Sequence, residues 1–149
     1  MKKLDLEQAR ASAGSKYPKP FDQPCQDKVR YRLAKAAGLK DIGVNLLRLS
    51  PGAWSSQRHW HSKAEEFIYV LAGEITLITE AGEEVLRAGE YTAFQPGVPD
   101  GHHLQNRSDS EALVLEIGTA KAPGDEATYP DIDLKSIGSR YYHKDGTPY

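Results

Sequence analysis

Apolar positions between residues 42 and 117 come in short bursts separated by glycine, proline, serine and aspartate. The segments 42–49, 56–61, 66–72, 75–79, 83–87, 91–94, 102–106 and 112–117 are each of strand length, and 75–79 (Ile-Thr-Leu-Ile-Thr) is rich in β-branched residues. Between them Ser50-Pro51-Gly52, Ala81-Gly82, Ala88-Gly89-Glu90 and Ser108-Asp109-Ser110 carry turn chemistry. The loop 96–101, with Pro96, Gly97, Pro99 and Gly101, reads as a stiff turn that aims the following strand. Strands recurring every ~8–12 residues with turn signals between them predict an all-β sandwich or barrel. The lack of alternating helical runs argues against α/β.

The flanks differ. Residues 4–13 predict a short helix ending at Gly14. Tyr17, Pro18, Pro20, Phe21 and Pro24 mark an extended arm, which cannot be a central strand because proline lacks the ladder donor. A strand is expected over 28–33, then a link over 34–40. The tail, 121–149, is polar yet rich in tyrosine, and its tyrosines are expected to pack on the domain, with His143 at the surface. One domain is expected: helix and arm over 1–27, a β-barrel over 28–120, and the packed tail.

Composition narrows the classes. Apolar residues are 39% and charged residues 27% of 149, ordinary for a globular chain. A formal net charge of -2 without a strongly basic patch argues against nucleic acid. Arg30, Arg32 and Lys35 are the densest basic group, read here as a solvated strand face. The single cysteine, Cys25, excludes an intrachain disulfide and a multi-cysteine zinc site. The N-terminal residues have no apolar leader core, and no run approaches the ~20 apolar residues of a membrane span. A cytoplasmic location is the default expectation.

Four of the five histidines lie in two clusters, His59-x-His61 and His102-His103. In a strand, side chains two apart share a face, so His59 and His61 look the same way and Trp60 looks the other. Glu66 opens the next apolar run. Two imidazoles and a carboxylate from adjacent strands suit a divalent transition metal.

These residues carry a resemblance. Gly52, His59-x-His61, Glu66 and Gly73 resemble the first motif of the cupin superfamily, and Gly89, Pro96-Gly97, His102 and Asn106 its second. Two spacings depart from the family pattern. Gly52 and His59 enclose six residues where five are usual, and Asp100 occupies the place where a histidine commonly follows the proline–glycine turn. The resemblance implies a double-stranded β-helix, or jelly-roll barrel. It also implies His59, His61, Glu66 and His102 as ligands of one divalent transition metal per chain. His103, Asp100 and Glu65 remain rivals at two of those positions. His102 is preferred because its spacing to Asn106 fits and because it shares a face with Leu104; Glu66 is preferred for its spacing to Gly73. Iron, manganese, zinc, nickel and copper all suit such a set. Gln57, Gln95, Asn45 and Tyr69 are candidates to hold the imidazoles. Most of Trp54, Trp60, Phe67, Tyr69, Tyr91 and Phe94 are assigned to the core, with Trp60 the weakest pocket candidate.

The implied function is a metal-dependent enzyme on a small polar molecule, of dioxygenase, isomerase or decarboxylase type. The alternative is a non-enzymatic small-ligand sensor. No general base stands out beyond Glu66, so no catalytic residue is assigned. The arm and the 28–33 strand are expected to cover a sheet edge, their own or a neighbour's, in a homodimer.

Overall fold

The computed structural model describes residues 3–149. Met1 and Lys2, the start of the segment read as lacking a leader core, lie outside the described residues. A six-stranded antiparallel sheet takes the order β1 (Ala11–Ala13), β2 (Lys28–Arg32), β3 (Ile42–Leu49), β10 (Ala112–Thr119), β5 (Glu66–Ala72), β8 (Tyr91–Phe94). Facing it are two smaller groups. One is β7 (Gly82–Arg87), β6 (Glu74–Thr79) and β9 (His103–Gln105); the other is β13 (Arg140–Tyr142), β12 (Leu134–Ile137), β11 (Glu126–Tyr129) and β4 (Trp60–His61). A bridge between His59 and His102 joins the two groups across β4 and β9. Few helices interrupt the strands, as the alternating pattern predicted.

Period-two alternation decides what each face meets. Leu47, Leu49, Val70, Val114 and Ala112 point between the sheets and are fully buried, packing with Ile68, Ile75, Leu77 and Leu104. The outer face of the large sheet is also apolar. Tyr31, Leu46, Leu115, Tyr69 and Tyr91 form one cross-strand row, and Val44, Ile117, Phe67 and Ala93 form the next. Tyr91 is 65% exposed there, so this face is only partly covered.

Several flanking expectations change. The predicted helix over 4–13 is a single 3-10 turn, Leu6–Gln8, followed by β1. A short isolated helix is marginal. Leu4 and Leu6 stay exposed, whereas β1 gains ladder pairs with β2 at Ala11–Tyr31, Ser12–Arg30 and Ala13–Val29. The strand expected over 28–33 ends at Arg32, and Leu33 opens a one-turn helix, α1 (Leu33–Ala36), that runs into the link. The ligand-bearing strand over 56–61 is regular only at Trp60–His61, because 53–59 run as an irregular segment bridged to the 102–106 stretch. In the tail, β11 pairs with β4, and Tyr129 and Tyr141 pack on Tyr17 with ring centroids 5.6 and 5.4 Å away. Among the described residues no helix is long and apolar enough to cross a membrane.

Candidate metal centre

Gly73 (φ +74°) lets β5 reverse into β6 where only 2.8 Å separates an added Cβ from the Glu111 carbonyl. That turn fixes β5, whose first residue is Glu66. Opposite Glu66 in the ladder stands Gly118 of β10, which leaves room above the carboxylate. From the second sheet come His59 and His61, and His102 arrives through the bridge to His59.

The four side chains converge. Ligand atoms of His59, His61 and Glu66 lie within 4.8 Å of one another. His102 Nε2 is 2.8 Å from Glu66 Oε2; His59 Nε2 is 3.8 Å from the same oxygen, and His61 Nε2 is 3.9 Å from Glu66 Oε1. Each ring is held from behind at Nδ1. His59 donates to the Gln57 carbonyl (2.9 Å), His102 to the Asp100 carbonyl (3.1 Å) and His61 to the Asp125 carboxylate (2.6 Å). Carbonyls and carboxylates only accept, so all three Nδ1 atoms carry a proton, and the His59 and His61 Nε2 atoms offer lone pairs inward; His102 Nε2 donates to Glu66 and would give up that proton to ligate. Phe94 stacks flat on His102, with centroids 3.4 Å apart.

Two lone pairs and a carboxylate aimed at one point repel unless a proton, here the one on His102 Nε2, or a cation lies between them. Burial pushes the His59 imidazole down to about 4, so it is neutral at pH 7, the ligating form. For Glu66, burial alone would raise the carboxyl, but the His102 ring against it and the His59 and His61 imidazoles bring it down to about 2. Burial likewise works against Asp125, and the hydrogen bonds from His61 and from the Lys63 and Ala64 amides hold it below the ordinary carboxylate range. A set of imidazole nitrogens and one ionised carboxylate fits a divalent ion of borderline softness.

The rivals are turned elsewhere. His103 Nδ1 meets the Ser56 carbonyl, its Nε2 meets Gln105, and its ring stands edge-on to Trp54. Asp100 Oδ1 accepts from the Glu80 amide. Glu65 is exposed and its carbonyl pairs with Thr119. Of the residues suggested to hold the imidazoles, only Gln57 takes part, through its backbone; its side chain donates to the Phe21 carbonyl. Asp125, which no sequence signal marked, does that work for His61. Trp60, read as facing away, lines a second, smaller cavity of about 210 Å³ with Gln95, Val98 and Glu66.

The main cavity, about 940 Å³, opens between the sheets onto His59, His61, Glu66 and His102. Its far wall is the inner face of β2, so Arg30 and Arg32 line it; the reading of a solvated strand face is overturned for Arg30, while Arg32 at the rim and Lys35 are exposed. Sequence comparison matches the cupin domain over residues 45–118. A sugar phosphate isomerase from a cupin superfamily, of Silicibacter pomeroyi, is 39% identical, with 99% of this chain and 96% of that one covered and a TM-score of 0.92. This chain belongs to the cupin superfamily. An oxalate decarboxylase of Arthroderma benhamiae is 37% identical over 90 residues, 58% of this cupin and 21% of that protein. A germin-like protein of Arabidopsis thaliana, subfamily 2 member 2, is 33% identical over 97 residues, 60% of this cupin and 43% of that protein. The chain thus spans about a fifth of the decarboxylase and less than half of the germin-like protein.

Proposed function

We propose that this cupin holds one divalent transition metal through His59, His61, Glu66 and His102, and that it is an enzyme acting on a small oxygen-rich molecule. One observation carries the reading: three imidazoles, each fixed from behind at Nδ1, turn their Nε2 atoms and one ionised carboxylate onto the floor of a deep cavity. Four protein ligands on an octahedral ion leave positions open, the mark of a catalytic rather than a structural site. When bound, the ion would supply Lewis acidity toward a carbonyl or hydroxyl oxygen. The chain's own residues orient that chemistry. Asp125 and the two backbone carbonyls keep the imidazoles in one tautomer, Phe94 fixes the His102 plane, and the facing sheets shield the floor from bulk water.

Among reaction types the isomerase reading has the most support. The Silicibacter pomeroyi protein so named matches nearly the whole of this chain, whereas the decarboxylase match covers little more than half. The test has two stages. Wild type and His61→Ala, purified without chelator, are compared for metal content by inductively coupled plasma mass spectrometry. About one metal per chain, lost in the variant, is expected; no metal after reconstitution overturns the ligand set. Metal-loaded protein is then offered a panel of sugar phosphates and oxalate. Ligand-induced thermal shifts without turnover of any would favour the sensor reading.

We also propose a homodimer. β2 pairs with β1 and β3 of the same chain, and the arm packs Tyr17 on Tyr129 and Tyr141 of the same chain, so neither supplies it. Its support is the two apolar rows on the outer face of the large sheet, a contiguous patch of the kind that marks association and that a second copy can match about a two-fold axis. Light scattering should give a dimer for wild type and a monomer for Leu115→Glu; a wild-type monomer at micromolar concentration overturns it.

A further inference from the structure

The alternation Lys28-x-Arg30-x-Arg32 places three cations on one face of β2. Register identifies the face. Lys28 lies opposite Leu49, Arg30 opposite Leu47 and Arg32 opposite Asn45, and both leucines are fully buried between the sheets. All three cations therefore point inward, and all three line the cavity that contains His59, His61, Glu66 and His102.

Two of the three charges are not balanced from within. Arg30 is paired bidentately with Glu116, at 2.6 and 2.7 Å, leaving three of its five N–H donors unspent. Lys28 is only 6% exposed, and its ammonium meets one acceptor, the Ser55 carbonyl. Among the described residues no carboxylate lies within ion-pair distance of Lys28 or Arg32. An ammonium buried with one of its three donors used is costly, and a leucine or methionine would be more stable there. Glu116 stands two residues along β10 from Gly118, the partner of Glu66, a step of about 7 Å. A small molecule can thus touch both ends of the cavity.

We infer that the inner face of β2 is an anion seat. Lys28 and the free edge of Arg30 bind a phosphate or carboxylate on the substrate while its other end reaches the histidine cluster, and Arg32 at the rim draws the anion in. This rests on the reading of the cavity as the substrate site, and it adds a requirement for negative charge. The shared chemistry is an oxyanion, and its source is separable by experiment.

Calorimetric titration with inorganic phosphate and, separately, acetate is run on the metal-loaded protein and again after chelation, since phosphate also binds metals directly. Saturable binding that survives chelation is expected, and the tighter of the two anions identifies the source. Lys28→Met, nearly isosteric, should weaken it about tenfold, the weight of one charge-assisted hydrogen bond, with metal content unchanged. Arg32→Ala, at the exposed rim, should weaken it about threefold, more at low salt, and decides the matter if the Lys28 variant does not fold. Wild-type affinity in the variants, or no saturation by either anion, overturns the seat. Anion binding by a protein that takes up no metal would sink the metal reading and leave the seat standing; metal uptake without anion binding would do the reverse.

Discussion

Replacing Lys28 by methionine should make the protein more stable, an unusual outcome for a buried residue. Burial first, and the neighbouring Arg30 charge second, push the Lys28 ammonium down from 10.5 to about 8. That difference corresponds to roughly 3 kcal/mol of destabilisation at pH 7. Methionine removes it but strands the Ser55 carbonyl, which costs about 1–2 kcal/mol. The net gain expected is about 1–2 kcal/mol, or a rise of a few degrees in Tm for a chain of this length. The pH dependence carries the stronger test. The unfolded chain holds this proton more tightly than the native one, so the wild-type penalty is constant below about 8 and disappears as pH rises from there toward 10.5. Urea titrations at pH 7 and 10, with both proteins metal-loaded, should show the advantage of the variant shrinking at the higher pH. A variant less stable at pH 7, or a gap that does not change with pH, would refute the account of Lys28 as an unpaired buried charge.

Three further outcomes follow from neighbouring geometry. Asp125→Asn replaces the carboxylate behind His61 and should cost about ten- to a hundredfold in metal affinity, measured by chelator competition. Asn106 is fully buried, donates to the Leu49 and Ser110 carbonyls and accepts from Ser108, so Asn106→Ala should lose about 3 kcal/mol in urea denaturation while still taking up one metal. Gly118→Ala would bring a Cβ within 2.7 Å of the Glu65 carbonyl, displacing the start of β5, and should weaken metal binding with far-UV circular dichroism unchanged.

What the sequence made legible is what local rules encode. Two-residue periodicity and turn residues mark β3, β5, β6 and β10, and the spacing of His59, His61 and Glu66 marks the cluster, because strand geometry turns spacing into direction. Asp125 escaped because it lies 64 residues from His61, and the two meet through β11 pairing beside β4, which nothing local announces. The face of β2 escaped for a related reason. Alternation shows that Lys28, Arg30 and Arg32 share a side, but only the register against Leu47 and Leu49 shows that the side is the inside. The first helix failed because Leu4 and Leu6 found no surface to bury against, and a ladder with β2 was available.

Two isolated bridges, His59–His102 and Trp54–Gln105, mark a seam in the second sheet. On one side lie β4 and the three C-terminal strands, on the other β9, β6 and β7. His59 and His61 stand on the first side, His102 on the second, and Glu66 reaches across from the opposite sheet. A metal held in the middle of that cluster, as proposed, would work as a rivet through a seam. Its removal would loosen the join between two half-sheets, so the amide protons of β11 to β13 would gauge whether the centre is filled.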